Sequence, residues 1–189
     1  MIKNKIKSGT YIFPLPVVIV GANIESKANF MTIAWCSVVE NKPPMLSISA
    51  SKGHYTNIGI RENQSFSINI PSEDLVEATD FVGMKSGKEI DKSKFFQVFY
   101  GELKNAPMIK EAAINMECKV MNIIDTGKGH EIFIGQVVQA YAEEEYLTND
   151  ILDISKIKPL IYATGQKSYW NLGNKIGKAW SIGRNYKKK

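Results

Sequence analysis

The chain has 189 residues, of which 44% are hydrophobic and 23% charged, which is typical of one globular domain and excludes a disordered or fibrous chain. Its formal net charge is +5, but seven of its 24 basic residues and none of its 19 acidic ones lie in 167–189. The rest of the chain is slightly acidic, so we expect no nucleic-acid partner, and no apolar run approaches the roughly 18 residues of a membrane-spanning helix.

Six segments of the sequence predict β-strands. Four of them alternate apolar and polar residues at period two, which is typical of half-buried strands, and two earlier apolar segments add one strand each. In 131–141 the alternation is weaker because both faces carry apolar side chains, which predicts a strand covered on both sides. The polar run 23–27 predicts a hairpin-like reversal, and the run 126–129 predicts a tight turn. The six predicted strands are 16–22, 30–39, 46–51, 65–70, 114–124 and 131–141.

Helices are fewer. Thr56 is a predicted N-cap of a short helix that ends at Glu62, with Asn63 as its left-handed stop. Ser72 is the predicted N-cap of a second helix, and the segment 169–179 has helical spacing in its apolar residues. More strands than helices predict a mainly β domain, most simply a small barrel with a few flanking helices.

The domain organisation and compartment follow from the remaining features. We expect one domain over 1–189, with 184–189 as a flexible basic tail. Cys36 and Cys118 lie far apart in apolar strand segments, which predicts buried free thiols in a reducing compartment. No continuous apolar signal core follows the basic N-terminus, so we expect a cytoplasmic protein that does not use a membrane.

Several kinds of catalytic site lack the residues that they need. The sequence has two histidines, His54 and His130, and no close cysteine pair, so a zinc site has too few ligands. Neither a Gly-x-Ser-x-Gly elbow nor a phosphate-loop motif occurs. Gly127 and Gly129 lack the third glycine of a dinucleotide-binding fingerprint and lie between strands.

The end of the strand 46–51 is better suited to binding an anion. One face of this strand carries only serines, Ser51 ends it, and a short polar turn leads into the helix that begins near Thr56. Hydroxyl groups, free backbone N–H groups and the helix dipole would all point at the same phosphate oxygens. The alternative is that the serines of an edge strand merely face solvent.

The segment before the serine strand carries a further pattern. Asn29, Met31, Thr32 and Trp35 stand in an N-x-M-T-x-x-W arrangement, and Pro43-Pro44 follows. Further on the chain has Ser51, His54, Tyr55, Thr56, Ile60, Glu62 and Asn63, then Ser86-Gly87, Asp91-Lys92 and Phe95, and finally Tyr169-Trp170 with Leu172-Gly173. In this order and spacing the chain resembles the flavin reductase-like family, in particular its flavoredoxin-like branch, over about residues 11–183.

The resemblance implies an FMN-binding split β-barrel that works as a homodimer with the flavin at the subunit interface. By matching position, one group of residues would lie along the isoalloxazine ring: Asn29, Phe30, Met31, Thr32 and Ala34. A second group would line the ribityl chain and the phosphate: Ser49, Ala50, Ser51, His54 and Thr56. Trp170 would either stack on the ring or pack across the dimer.

Some of these residues have simpler interpretations. Met31 and Trp35 are apolar strand residues that equally predict core positions, and His54 equally predicts a nicotinamide contact or an exposed turn. The lysines Lys85, Lys88 and Lys92 are predicted to be solvated loop charges, although their loop would be long enough to reach a neighbouring flavin.

The resemblance implies an oxidoreductase that passes electrons from NAD(P)H through FMN to a flavin, a ferric complex or a protein acceptor. The alternative is an FMN-binding electron carrier that a redox protein reduces, with the basic C-terminal segment docking an acidic partner. A further alternative is a split barrel with another ligand, as in pyridoxamine phosphate oxidase or haem-binding relatives. The N-x-M-T segment argues against that last alternative.

Overall fold

The computed structural model describes residues 2–187. The strands in these residues are β1 Leu15–Pro16, β2 Val18–Ile24, β3 Lys27–Ile33, β4 Cys36–Asn41, β5 Pro44–Ser51, β6 Ser65–Ile70, β7 Val98–Phe99, β8 Met108–Ile109, β9 Ile114–Asp125, β10 His130–Ala142, β11 Leu147–Thr148, β12 Ile151–Leu152, β13 Ile161–Ala163 and β14 Ser168–Trp170. The α-helices are α1 Thr56–Asn63, α2 Val76–Met84 and α3 Ile154–Ile157, and 3-10 turns lie at Glu73–Leu75, Lys92–Phe95 and Glu144–Tyr146.

Seven strands form one antiparallel sheet in the order β3-β2-β6-β9-β10-β5-β4. Because β3 and β4 are consecutive in the chain but lie at opposite edges, the two residues between them must cross from one edge to the other. The Ser49 N–H donates a hydrogen bond of 2.8 Å to the Trp35 carbonyl at this crossing. The sheet therefore curls into a barrel that is split along one seam, as the strand-rich sequence predicts.

The barrel interior is an apolar core contributed by both halves of the sheet. Its largest fully buried side chains are Phe66 and Phe133, which come from β6 and β10. Gly135 lies beside them, and a Cβ atom at this position would be 2.7 Å from the Phe66 ring. The glycine thus leaves the space that the Phe66 ring fills.

A second apolar cluster lies outside the barrel, between β3, α2 and the turn Lys92–Phe95. It contains Phe30, Val82 and Phe96, and the Phe30 and Phe96 rings meet edge to face with centroids 5.4 Å apart. This packing holds the end of α2 and the loop after it against β3. Of these residues, Val82 also lines the cleft described below.

The prediction of half-buried strands was wrong for β6 and for the beginning of β9, because the side chains of the polar face are buried there as well, whereas Lys119 of β9 is exposed as predicted. The loop that runs from β7 to β9 covers this face, and its backbone groups bond to the polar side chains. Asn115 donates to Asn69 at 2.8 Å, and the buried Glu117 carboxylate accepts from the Glu102 N–H at 2.8 Å. The alternation of residue types along a strand shows which of its faces is polar. Whether that polar face is buried depends on the loop that covers it.

Three local predictions also need correction. The predicted strand 30–39 is two strands, since the barrel seam breaks it after Ile33. The left-handed stop of α1 is Gln64 rather than Asn63, and Tyr55 rather than Thr56 occupies the N-cap. The segment 169–179 is not helical, because its first residues pair with β13 and its glycines disfavour a helix.

The other helix prediction was close, since Ser72 precedes a 3-10 turn that leads into α2, although its side chain makes no capping bond. The single domain over 1–189 stays a prediction. Of the expected tail 184–189, the residues 184–187 are exposed, whereas Lys188 and Lys189 lie outside the described residues. Within residues 2–187, no helix is both long enough and apolar enough to span a bilayer.

Candidate functional site

A cleft of about 180 Å³ opens where the end of β3, the beginning of α1 and the loop after α2 meet. Each wall comes from a different part of the chain, so the site exists only in the folded protein. The residues that line it are Met31 and Thr32 of β3, Gly53 to Thr56, Val82 to Gly87, and Lys92.

The beginning of α1 borders this cleft through Tyr55 and Thr56, whereas the N–H groups of the next two residues already donate to the His54 and Tyr55 carbonyls. The N-cap residue, Tyr55, makes no capping bond with its side chain, and the first turn of the helix contains no acidic residue. The Nδ1 atom of His54 is buried and has no hydrogen-bond partner among the described residues. Burial, together with the positive charge of Lys92 and the proximity of His130, lowers the pKa of His54. A helix N-terminus with these neighbours is suited to an anion.

Asn29 lies behind the cleft and contacts two of the segments that line it. Its Nδ2 group donates to Thr56 Oγ1 at 2.8 Å, in a fully buried contact. Because Thr56 Oγ1 accepts this bond, its own hydrogen is free to donate elsewhere. On its other side, Asn29 packs against Gly87, where a Cβ atom would be 2.0 Å from Asn29 Oδ1. Asn29 therefore fixes both α1 and the loop after α2.

Lys92 is the residue that the sequence interpretation missed. We predicted a solvated loop charge, but its side chain is only 4% exposed. Its Nζ donates to the Phe30 carbonyl at 2.8 Å and to the Val82 carbonyl at 2.7 Å, which leaves a third N–H for the cleft. Burial lowers its pKa to about 8. The 3-10 turn that begins at Lys92, capped by the side chain of Asp91, sets this position.

Two further clefts continue from the first: the second shares Thr32 with the first, and the third shares Ala34 with the second. One, of about 350 Å³, lies between Thr32, Ala34 and the hairpin β13–β14, which contributes Tyr162 and Tyr169. The other, of about 530 Å³, lies over β4 and β5 and is lined by Ala34, Trp35 and Ser49 among others. Because the clefts share Thr32 and Ala34, they form one elongated groove with a donor-lined end and an aromatic end.

The aromatic end corrects one expectation, and the role of Trp170 stays a prediction. Trp35 is not a core residue, because its side chain is 42% exposed and lies beside the His130 ring with centroids 4.7 Å apart. Trp170 is exposed and does not line the groove, whereas its neighbour Tyr169 does. The Tyr169 hydroxyl donates to Asp80 Oδ1 at 2.9 Å. Burial and this bond raise the pKa of Tyr169, so its proton is held firmly.

The structure brings most of the predicted site residues to this groove. Met31, Thr32, Ala34, Ser49, His54 and Thr56 line it. Ser51 ends β5 directly before the lining turn, and its carbonyl accepts from the His54 N–H at 3.0 Å. The side chains of Phe30 and Ala50 are fully buried in the apolar cores, so a ligand in the groove can meet only their backbone.

The two cysteines make no disulfide. Cys118 is fully buried, as predicted, whereas Cys36 is half-buried and lines the aromatic end. Burial raises the pKa of the Cys36 thiol to about 11, which disfavours its reactive thiolate.

The described part of the chain contains no group of three or more side chains suited to hold a metal ion.

Comparisons with known proteins agree with this geometry. The flavin reductase like domain matches residues 10–171. The structure is similar to the flavoredoxin of Methanosarcina acetivorans, with 44% identity, a TM-score of 0.94, and 97% of this chain and 98% of that chain covered. It is also similar to the flavoredoxin of Desulfovibrio vulgaris (Miyazaki F), with 30% identity, a TM-score of 0.90, and 97% and 100% coverage.

Among curated relatives, the reductase component of a 4-nitrophenol 4-monooxygenase/4-nitrocatechol 2-monooxygenase from Rhodococcus opacus is 27% identical over 111 residues, or 59% of this chain. The chain spans 57% of that protein and 58% of an Aeropyrum pernix relative. The predicted fold class, a mainly β split barrel of the FMN-binding type, is confirmed. The matched domain covers most of the chain, which therefore belongs to the flavin reductase-like family.

Proposed function

We propose that the chain binds FMN along the groove and works as an oxidoreductase, passing electrons from NAD(P)H to a flavin, a ferric complex or a protein acceptor. The observation that carries this proposal is the donor-lined end of the groove. The groups that line this end are the N-terminus of α1 at Thr56, the unpartnered His54 ring nitrogen, the Thr56 hydroxyl and the Lys92 ammonium. A phosphate group fits this set because it offers only acceptors and negative charge.

The other end of the groove suits a flat ring system. Met31 and Ala34 supply small or flexible apolar surface, and Trp35 and Tyr169 supply aromatic walls. FMN matches a groove with two such ends because it joins a ring and a phosphate by a flexible chain. Bound FMN would supply hydride and electron transfer, which no side chain can provide.

The side chains of this groove are suited to binding and orientation rather than to proton transfer. Tyr169 holds its proton firmly beside Asp80, and the thiol of Cys36 stays protonated. The role of the protein would therefore be to hold the donor against the ring and to exclude water from the contact. This explains why the sequence contains no catalytic triad or dyad.

The surface beside the aromatic end supports the proposal of a homodimer. Val38 on β4 is 72% exposed, and Ile12 and Phe13 of the N-terminal arm are 78% and 61% exposed. Of these side chains, Ile12 lines the groove together with the exposed Trp35. We expect a second copy to cover this surface, and a stable monomer that holds FMN in solution would contradict this.

A second candidate function is an electron carrier that a redox protein reduces, with little NAD(P)H activity. Its support is the similarity to two proteins that are named flavoredoxins, at 44% and 30% identity. The basic and exposed C-terminal segment, which includes Lys175, Lys178 and Arg184, is suited to dock an acidic protein.

The visible spectrum of the purified protein tests these proposals. Bands near ~375 and ~450 nm, typical of an oxidised flavin, would support FMN binding, and bleaching by anaerobic NADH or NADPH would then support the reductase. A yellow protein that only a protein donor bleaches would support the carrier. A colourless protein that takes up no added FMN would contradict both.

A further inference from the structure

Asn57, which does not line the groove, joins three elements directly beneath the donor-lined end. It follows Thr56 in the first turn of α1, and its side chain is buried, with 3% of the residue exposed. Its Nδ2 group donates to the Ser51 carbonyl at 2.9 Å and to Glu131 Oε1 at 2.8 Å. One amide group thus ties the beginning of the helix to the end of β5 and to β10.

Glu131 is the unusual member of this contact, because it is a carboxylate that is only 2% exposed. It lies on β10 opposite Ala50, one residue away from the end of the serine strand. Arg61, one turn further along α1, forms an ion pair with it. A buried carboxylate next to an anion site would repel the anion, so the Arg61 charge is needed to neutralise it.

The turn between Ser51 and Asn57 is closed by three hydrogen bonds. The His54 N–H donates to the Ser51 carbonyl at 3.0 Å, and the Asn57 N–H donates to the His54 carbonyl at 3.2 Å. The Asn57 side chain completes the ring by its bond to the same Ser51 carbonyl. His54 and the N–H groups of the helix can move away from one another only if these bonds break.

We infer that Asn57 and Glu131 are positioning residues that determine the preference of this groove for a phosphorylated flavin over an unphosphorylated one. This inference rests on the proposed function. Asn57 holds the donors of the turn in the arrangement that a phosphate group requires, and Glu131 holds Asn57. Neither residue touches the groove, so removal of either should weaken the phosphate contact and leave the ring contact unchanged.

The test compares the dissociation constants of FMN and riboflavin, which differ only in the phosphate group, for variants of the full chain. Asn57→Ala and Glu131→Ala should each weaken FMN binding by roughly tenfold, the effect of losing about one hydrogen bond, with riboflavin binding unchanged. Glu131→Gln keeps the oxygen that accepts from Asn57 and should restore the preference for FMN. Quenching of flavin fluorescence measures both constants.

Asn63→Ala is a matched control at the other end of the same helix. The Asn63 Nδ2 group donates to the Asn23 carbonyl at 2.8 Å and to the Gly59 carbonyl at 2.9 Å, so it makes the same kind of contacts away from the groove. This variant should lower the thermal stability of the protein without changing the ratio of the two constants.

The outcomes separate this inference from the proposed function. If the unmodified protein binds neither FMN nor riboflavin, the proposed function is wrong, and the inference falls with it. If the protein prefers FMN and the alanine variants keep that preference, the inference alone is wrong. If Glu131→Gln and Glu131→Ala weaken FMN binding equally, the inference is likewise wrong. That result would indicate that the ion pair with Arg61, and not the hydrogen bond to Asn57, supports FMN binding. If an alanine variant does not fold, Glu131→Gln and Asn57→Ser still report the ratio.

Discussion

The two ends of the groove differ in how completely one chain builds them. At the donor-lined end, Asn29 and Lys92 are at most 5% exposed, and each makes hydrogen bonds to other elements. At the aromatic end, Trp35 and Ile12 are 42% and 78% exposed. The difference indicates that one end is preorganised before a ligand arrives, whereas the other is completed by the ligand or by a second copy of the chain.

The physical reason for this difference is that polar and apolar contacts place different requirements on geometry. Buried polar groups that are not bonded carry a large penalty, so the donors that face an anion must be held by a rigid frame. Apolar contacts are not directional, so an aromatic wall can form when a ring or a partner arrives. The predictions below alter one end at a time.

The largest expected effect comes from Lys92→Met at the donor-lined end. Loss of the ammonium removes a charge-assisted contact with the phosphate, which is worth about 1.5–3 kcal/mol, so FMN affinity should fall by roughly ten- to hundredfold. Lys94→Met, which alters an exposed lysine of the same 3-10 turn, is the control and should bind FMN normally. Equal FMN affinities in the two variants would show that Lys92 does not contact the phosphate.

The pH dependence of FMN binding should follow the titration of Lys92. Its pKa is lowered from 10.5 to about 8, so the folded protein without flavin loses the Lys92 proton above that pH. The phosphate keeps its charge in this range, so FMN affinity should be constant between pH 7 and 8 and fall above, by at most about tenfold per pH unit.

The stability of the flavin-free protein should change in the opposite direction. Between pH 8 and 10.5 the unfolded chain binds more protons at Lys92 than the folded chain does, so the free energy of unfolding gains a contribution that rises with pH. Flavin titrations and denaturant unfolding at several pH values measure the two trends. Both pH dependences should be absent from Lys92→Met. If either one persists in this variant, the titrating group is not Lys92.

A smaller effect, with a different signature, is expected at the aromatic end. Trp35→Leu removes an aromatic wall, and a contact of this kind is worth about 0.5–1.5 kcal/mol. FMN and riboflavin should therefore both bind roughly three- to tenfold more weakly, with their ratio unchanged. Trp180→Leu, which alters a tryptophan that is 97% exposed, is the control. A loss confined to FMN would mean that Trp35 acts on the phosphate end.

The smallest effect is expected from removal of residues 184–189, the predicted basic tail. Residues 184–187 are exposed and line none of the three clefts. We expect FMN affinity to be unchanged and the free energy of unfolding to change by less than about 0.5 kcal/mol. A slower reduction by an acidic protein donor, with unchanged flavin binding, would assign this segment to docking.

The sequence by itself determined the strand-rich domain and most of the groove residues. Burial alternates at period two in the second half of β5 and the first half of β10, where the barrel buries one face of each strand, but it does not alternate in β6. The serine strand and the turn to α1 predict an anion site by themselves, whereas the flavin was implied only by the resemblance that the segment from Asn29 to Trp35 carries.

Only the tertiary structure decided which of these residues are buried and what they contact. Lys92 resembles its solvated neighbours in sequence, yet the packing of α2 on β3 places two carbonyl oxygens at its ammonium. Glu131 bonds to Asn57, which is 74 residues away in the chain. The alternation of residues in the strand that contains Glu131 could not predict this contact. Local patterns encode the polarity of a segment, but burial and charge pairing depend on distant segments that only folding brings together.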